Sequence, residues 1–116
     1  MKPLSLNRTM LAAALAAAGT VALAPYADAR PIAKVEIASN YFAPGKKTVK
    51  QGTKVRFTWP EFGFDLHDVR VRKGPAKFKS PLQASGTWTR KFTKKGTYRL
   101  YCSQHEEMSM TLVVKR

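Results

Sequence analysis

Acidic residues are scarce in this chain of 116: 7 Asp and Glu stand against 21 Lys and Arg, for a formal charge of +14. That balance excludes an acidic binding tail. The single cysteine, Cys102, excludes a disulfide framework. The short length excludes a multidomain enzyme. Long apolar runs are missing as well: Met10 to Ala24 spans about fifteen residues, short of the roughly 20 that cross a bilayer, and Pro25 closes it. A polytopic membrane protein is therefore excluded. Sustained helical periodicity is absent. What is present is 44% apolar and 10% aromatic residues, too many for a disordered polycation. A small, very basic, folded domain remains. Basicity by itself points to nucleic acid, so the first question is whether the charge is the function.

Residues 1–29 read as a secretory signal peptide. Lys2 and Arg8 give a positive start, the apolar run follows, and Ala27-Asp28-Ala29 places small residues where a signal peptidase reads. The expected cut lies between Ala29 and Arg30. Thr9 after Arg8 breaks a twin-arginine signal, which favours the general secretory route. Residues 30–116 then form a single domain with no transmembrane segment, and loss of Lys2, Arg8 and Asp28 leaves a charge of +13. The expected location is periplasmic, extracellular or at the cell surface. Thiols tend to be oxidised there, so one cysteine must be either buried and inert or occupied at its sulfur.

After Arg30, short alternating runs are separated by turn signals at about 8–12 residue intervals. Lys34–Ala38 and Lys54–Trp59 alternate, with Val55, Phe57 and Trp59 on one face. His67, Val69 and Val71 share a face opposite Asp68, Arg70 and Arg72. Further runs are Thr87–Phe92, Tyr98–Cys102 and Met110–Val114. Turns are expected at Pro44-Gly45, Gln51-Gly52, Lys73-Gly74-Pro75, Ser85-Gly86 and Lys95-Gly96. About seven or eight strands imply an all-β, antiparallel Greek-key sandwich, with Gly74 to Ser85 as an irregular crossing loop. Most lysines and arginines then belong to solvated strand faces.

The informative segment is Cys102-Ser103-Gln104-His105-Glu106-Glu107-Met108. Steps of three place a thiolate, an imidazole and a thioether around one point in a loop between strands. Soft sulfur favours Cu(I) and imidazole accepts Cu(II), so the set suits copper. A second imidazole completes a trigonal set, and the other histidine is His67, at the loop end of an inward strand face. Singly, a buried Cys, a hydrogen-bonded His or a core Met is the ordinary explanation. The order His…Cys-x-x-His-x-x-Met in one small domain favours the metal. Met110 competes with Met108 for the thioether role. It shares a strand face with Leu112 and Val114, whereas Met108 is expected before that strand, in the loop with the other donors.

These residues resemble the cupredoxins, the small blue-copper electron carriers that include plastocyanin, pseudoazurin and amicyanin. Asn40–Pro44 with Thr48–Val55 resembles their first strands, His67-Asp68-Val69 their first ligand segment, and Gly96 through His105 the strand and loop bearing the other ligands. The likeness implies His67, Cys102 and His105 as equatorial ligands of one copper cycling between Cu(II) and Cu(I), with Met108 as the weak axial ligand. The Cys-x-x-His-x-x-Met spacing resembles amicyanin's short loop. Two departures stand out. Asp68 replaces the usual Asn; it can accept from the Ser103 hydroxyl or N–H, and its charge is expected to lower the reduction potential. Glu106-Glu107 replaces apolar residues beside the exposed histidine, leaving Phe62 and Phe64 to supply part of a docking patch.

The implied function is one-electron transfer without catalysis, with His105 as the point of electron uptake and release. A monomer steered by its charge towards an acidic redox partner, with no nucleic acid involved, follows from the same picture. Two other classes stay open on the sequence: extracytoplasmic copper delivery, storage or resistance on the same fold, and a metal-free basic sandwich binding an anionic cell-surface polymer.

Overall fold

A computed structural model of the chain describes residues 31–60 and 63–116. The expected leader, residues 1–29, and Phe62 lie outside the described residues. Eight strands run in chain order: β1 (Ala33–Ala38), β2 (Tyr41–Ala43), β3 (Lys46–Lys50), β4 (Thr53–Thr58), β5 (Arg70–Lys73), β6 (Thr87–Phe92), β7 (Gly96–Cys102) and β8 (His105–Lys115). No helix occurs among the described residues, hence none long and apolar enough to cross a membrane.

Strand alternation builds two sheets, ordered β2-β1-β4-β6 and β3-β8-β7-β5. Each buries one face. Val35, Ile37, Phe42, Val55, Phe57 and Phe92 point inward from the first; Val49, Val71, Tyr98, Leu100, Leu112 and Val114 point inward from the second. Each such side chain, once fully buried, contributes roughly 1.5–3 kcal/mol. Trp59 is buried and Trp88 packs partly buried against the core. The crossing segment after β5 has no strand of its own and closes the open edge with Phe78, whose ring meets Phe92 edge-on at 5.5 Å. Tyr98 also stacks edge-on against Phe92, and its hydroxyl donates to the Lys94 carbonyl at 2.8 Å. Burial raises the Tyr98 pKa.

The sandwich and the strand number agree with the sequence expectation. The pairing is mixed, however, not purely antiparallel: β1 pairs with β4 and β3 with β8 in parallel. A parallel pair needs a crossover between its strands. For β1 and β4 it is β2 and β3, since the chain leaves the first sheet after β2, adds β3 to the edge of the second, and returns as β4; for β3 and β8 it is the chain from β4 through β7. Gly52, at φ 89°, makes the turn back from β3 to β4 in a region that favours glycine.

Candidate metal centre

One end of the sandwich carries the polar exceptions to its apolar core. Among the described residues, His67, Asp68 and Ser80 are the buried polar ones, and the first two sit between Leu66 and β5. Burial of polar groups requires partners, and each has them. The His67 N–H donates to the Gln83 carbonyl at 3.0 Å, and the His67 carbonyl accepts from Gln83 N–H at 3.1 Å. That same carbonyl accepts from the Trp59 indole N–H at 3.0 Å. Two residues on, Val69 N–H donates to the Ser80 hydroxyl at 2.8 Å while Ser80 N–H donates to the Val69 carbonyl at 2.9 Å. The crossing segment thus acts as an extra strand stitched along His67–Val69. A Cβ on Gly63 would run into the Ala84 carbonyl, so glycine lets the loop before His67 lie against this segment.

Cys102 ends β7 and His105 opens β8, joined by the turn at Ser103 and Gln104. The Cys102 thiol is free and buried, and its Sγ lies 3.8 Å from His67 Nδ1 and 3.7 Å from His105 Nδ1. All three donor atoms fall within 4.8 Å of one another. The imidazole rings are 4.7 Å apart, tilted by 40°. With bonds of about 2.0–2.3 Å to a central ion, ligands in a trigonal plane are about 3.6–3.8 Å apart, and tetrahedral ones nearer about 3.5 Å. The sulfur–nitrogen spacings match the trigonal case, and one sulfur with two imidazoles suits copper. Gln104 N–H points at Sγ from 3.4 Å, a donor placed to stabilise negative charge on sulfur. The His67 pKa lies below its usual value, first through burial and then through the neighbouring His105, against an opposite pull from Asp65 and Asp68. That favours the neutral, ligating form.

The Met108 position needs a correction. Met108 is not in a loop ahead of the last strand: β8 begins at His105, and Met108, Met110, Leu112 and Val114 alternate inward on one face. Both methionines are buried, so strand membership does not separate them. Their levels do. Leu100 pairs with Met110 and Tyr101 with Ser109, so regular pairing would carry Met108 opposite Cys102; instead the register shifts and Cys102 pairs with His105. The residues between, Glu106 to Met108, bulge at the rim. Met108 follows that shift on the copper side of the Tyr101–Ser109 pair, whereas Met110 pairs with Leu100 one step deeper.

Asp68 is 1% exposed. Its Oδ1 accepts the Ser103 N–H at 2.7 Å, and its Oδ2 accepts the Ser103 hydroxyl at 2.7 Å. Arg70 Nε donates to Oδ2 at 2.8 Å. Burial pushes the carboxyl pKa up, but the Ser103 and Arg70 contacts outweigh it, and the net direction is down. Asp68 therefore ties the His67 segment to the Cys102 turn as a carboxylate. Arg70, Trp59 and Gln83 were not singled out by the sequence. Only Arg70 left a signal, since alternation places it beside Asp68 on one strand face.

The family model described as a cupredoxin-like domain matches residues 9–114. Among solved structures, a copper-containing nitrite reductase from Thermus scotoductus SA-01 is 27% identical, with a TM-score of 0.67 over 83% of this chain. This chain spans only 26% of that enzyme, about a quarter of its length. A reduced Cu(I) form of an amicyanin variant at pH 4 is 27% identical, with a TM-score of 0.62 over 79% of this chain and 92% of its own. An oxidised amicyanin variant is 26% identical, with a TM-score of 0.62 over 79% and 90%. No curated protein matches the chain. The donor set and these likenesses together give the cofactor as one copper cycling between Cu(II) and Cu(I).

Proposed function

The chain belongs to the cupredoxin-like family, and from that premise we propose that it is an exported one-electron carrier with a type 1 copper site, catalysing no reaction of its own. His67, Cys102, His105 and Met108 would hold the copper, the thiolate and two imidazoles as its strong donors and the thioether as its weak one. What supports this most is the convergence of one buried thiol and two imidazole nitrogens, each nitrogen 3.7–3.8 Å from the sulfur, held by hydrogen bonds from three separate segments. Bound copper supplies a one-electron couple between Cu(II) and Cu(I).

The residues of the chain account for the rest. His67, clamped through its own backbone, and Cys102, fixed at the end of β7, keep their donor atoms nearly still whichever oxidation state is present. A small change in geometry on gaining an electron means a small reorganisation cost. His105 is half-buried while His67 is buried, so its ring edge is the point of electron uptake and release. Asp68 holds Ser103, and with it the turn, against the His67 strand. Residues 1–29 are removed on export by the general secretory route, and residues 30–116 work as a monomer, periplasmic or at the cell surface. Partner encounter is steered by the basic surface and slows as salt is added.

Voltammetry of the copper-loaded chain is the test. A reversible one-electron couple is expected. A site that holds only Cu(I) and yields it readily to a recipient points instead to copper delivery.

A further inference from the structure

The positive charge is not spread evenly over the two sheets. The outer face of the second sheet presents Lys46 and Lys50 on β3, Arg70 and Arg72 on β5, Arg99 on β7 and Lys115 on β8. No acidic residue lies on β3, β5 or β7, and those of β8, Glu106 and Glu107, stand at the copper rim. The outer face of the first sheet has fewer cations, with Glu36 among them. At the copper end of the basic face, Arg70, Lys77, Phe78, Lys79 and Tyr101 line a shallow groove of about 330 Å³. Arg72 lies over the Tyr101 ring at 4.3 Å.

We propose that this face docks an acidic protein surface, and that Arg70, shared between the groove and the buried Asp68 carboxylate, couples docking to the copper site. The coupling half rests on the electron-carrier reading above. Five cations without an acidic neighbour, with Arg70 held by the single buried Asp68 carboxylate, fit a polyanionic surface. The groove, with two aromatic rings beside three cations, takes a carboxylate side chain. A lipid surface fits less well, because the exposed large apolar residues Tyr41, Phe64, Leu66 and Leu82 all lie off this face. A second copy, carrying the same charge, is repelled.

Arg70 gives the face its link to the metal. Its side chain is 39% exposed, while its Nε is committed to an Asp68 oxygen that is out of reach of water. An incoming carboxylate competes for that guanidinium. Asp68 is then less compensated, and it is bonded to the residue next to Cys102. Negative charge left beside the site favours Cu(II), so docking lowers the reduction potential and makes the carrier a better donor.

The test uses the copper-loaded chain and a fluorescein-labelled polyglutamate peptide at low salt. Arg72→Glu with Arg99→Glu is compared with Lys54→Glu with Lys91→Glu, an equal charge change on the other sheet. Affinity is expected to fall by more than about tenfold in the first pair and by less than about threefold in the second. Equal losses, or no binding by the unaltered chain, overturn the docking face. So does a face variant that loses binding to phosphatidylglycerol vesicles while keeping the peptide. The same titration on Cys102→Ser, expected to bind the peptide unchanged, separates docking from the copper reading. For the coupling, saturating peptide is expected to lower the potential of the unaltered chain. Arg70→Gln should start from the lowered value and show no further shift. An unchanged potential in the unaltered chain with peptide bound contradicts the coupling.

Discussion

The two histidines lie 4.7 Å apart ring to ring, yet they belong to mechanically different regions. His67 is buried and its peptide groups are spent on Gln83 and Trp59, with Ser103 holding Asp68 and Ser80 holding Val69 just after it. His105 is half-buried and stands across a turn from Cys102, at the start of a bulged strand, with Glu106 and Glu107 exposed beside it. The first region behaves as framework. The second is the rim through which anything outside meets the metal. Fixing a ligand and exposing a ligand are conflicting demands on one side chain, and the fold meets them by dividing them between two.

The contrast is broken most severely by removing each imidazole in turn. His67→Gly and His105→Gly are both expected to lose the thiolate–copper colour. Added imidazole should restore it in His105→Gly at a concentration about tenfold lower, because that cavity opens to solvent. Equal rescue would show that the two positions are equally accessible. Next in size, Asp68→Ala leaves two Ser103 donors and the Arg70 guanidinium without their acceptor. A loss of about 2–4 kcal/mol in denaturant unfolding is expected, discounted from a fully buried pair because Arg70 is partly exposed. Trp59→Phe keeps the ring packing but removes the indole donor to the His67 carbonyl. A loss of about 1–2 kcal/mol is expected, with a changed electron paramagnetic resonance signal of the copper form. On the rim, Glu106→Gln with Glu107→Gln should change stability by no more than about 0.5 kcal/mol. Its effect should be a small rise in potential that shrinks as salt is added.

The rim was legible from the sequence because its chemistry is local. Cys102, His105 and Met108 fall in seven consecutive residues, and a thiol, an imidazole and a thioether at that spacing have few other uses. His67 was legible by elimination, as the other histidine in the chain. The clamp on His67 was not, since Trp59 and Gln83 reach it only through the register between β4, the crossing segment and β5. Alternation placed Asp68 and Arg70 together on an outward face. The resemblance had already set Asp68 against Ser103, and the two contacts between them are both 2.7 Å; what neither conveyed is that the carboxylate is buried there with Arg70 as its cation. Met108 was assigned to a loop because a bulge does not announce itself in the sequence. The parallel pairs were missed for a related reason: alternation sets which face a residue takes, and says nothing of which neighbour its strand chooses.

The most direct measurement is the visible spectrum during titration of the metal-free chain with Cu(II), beside Cys102→Ser. One equivalent should give an intense blue thiolate-to-copper band in the unaltered chain and none in Cys102→Ser. A chain that stays colourless, or a blue band that survives the loss of the Cys102 sulfur, would contradict the assignment of this site.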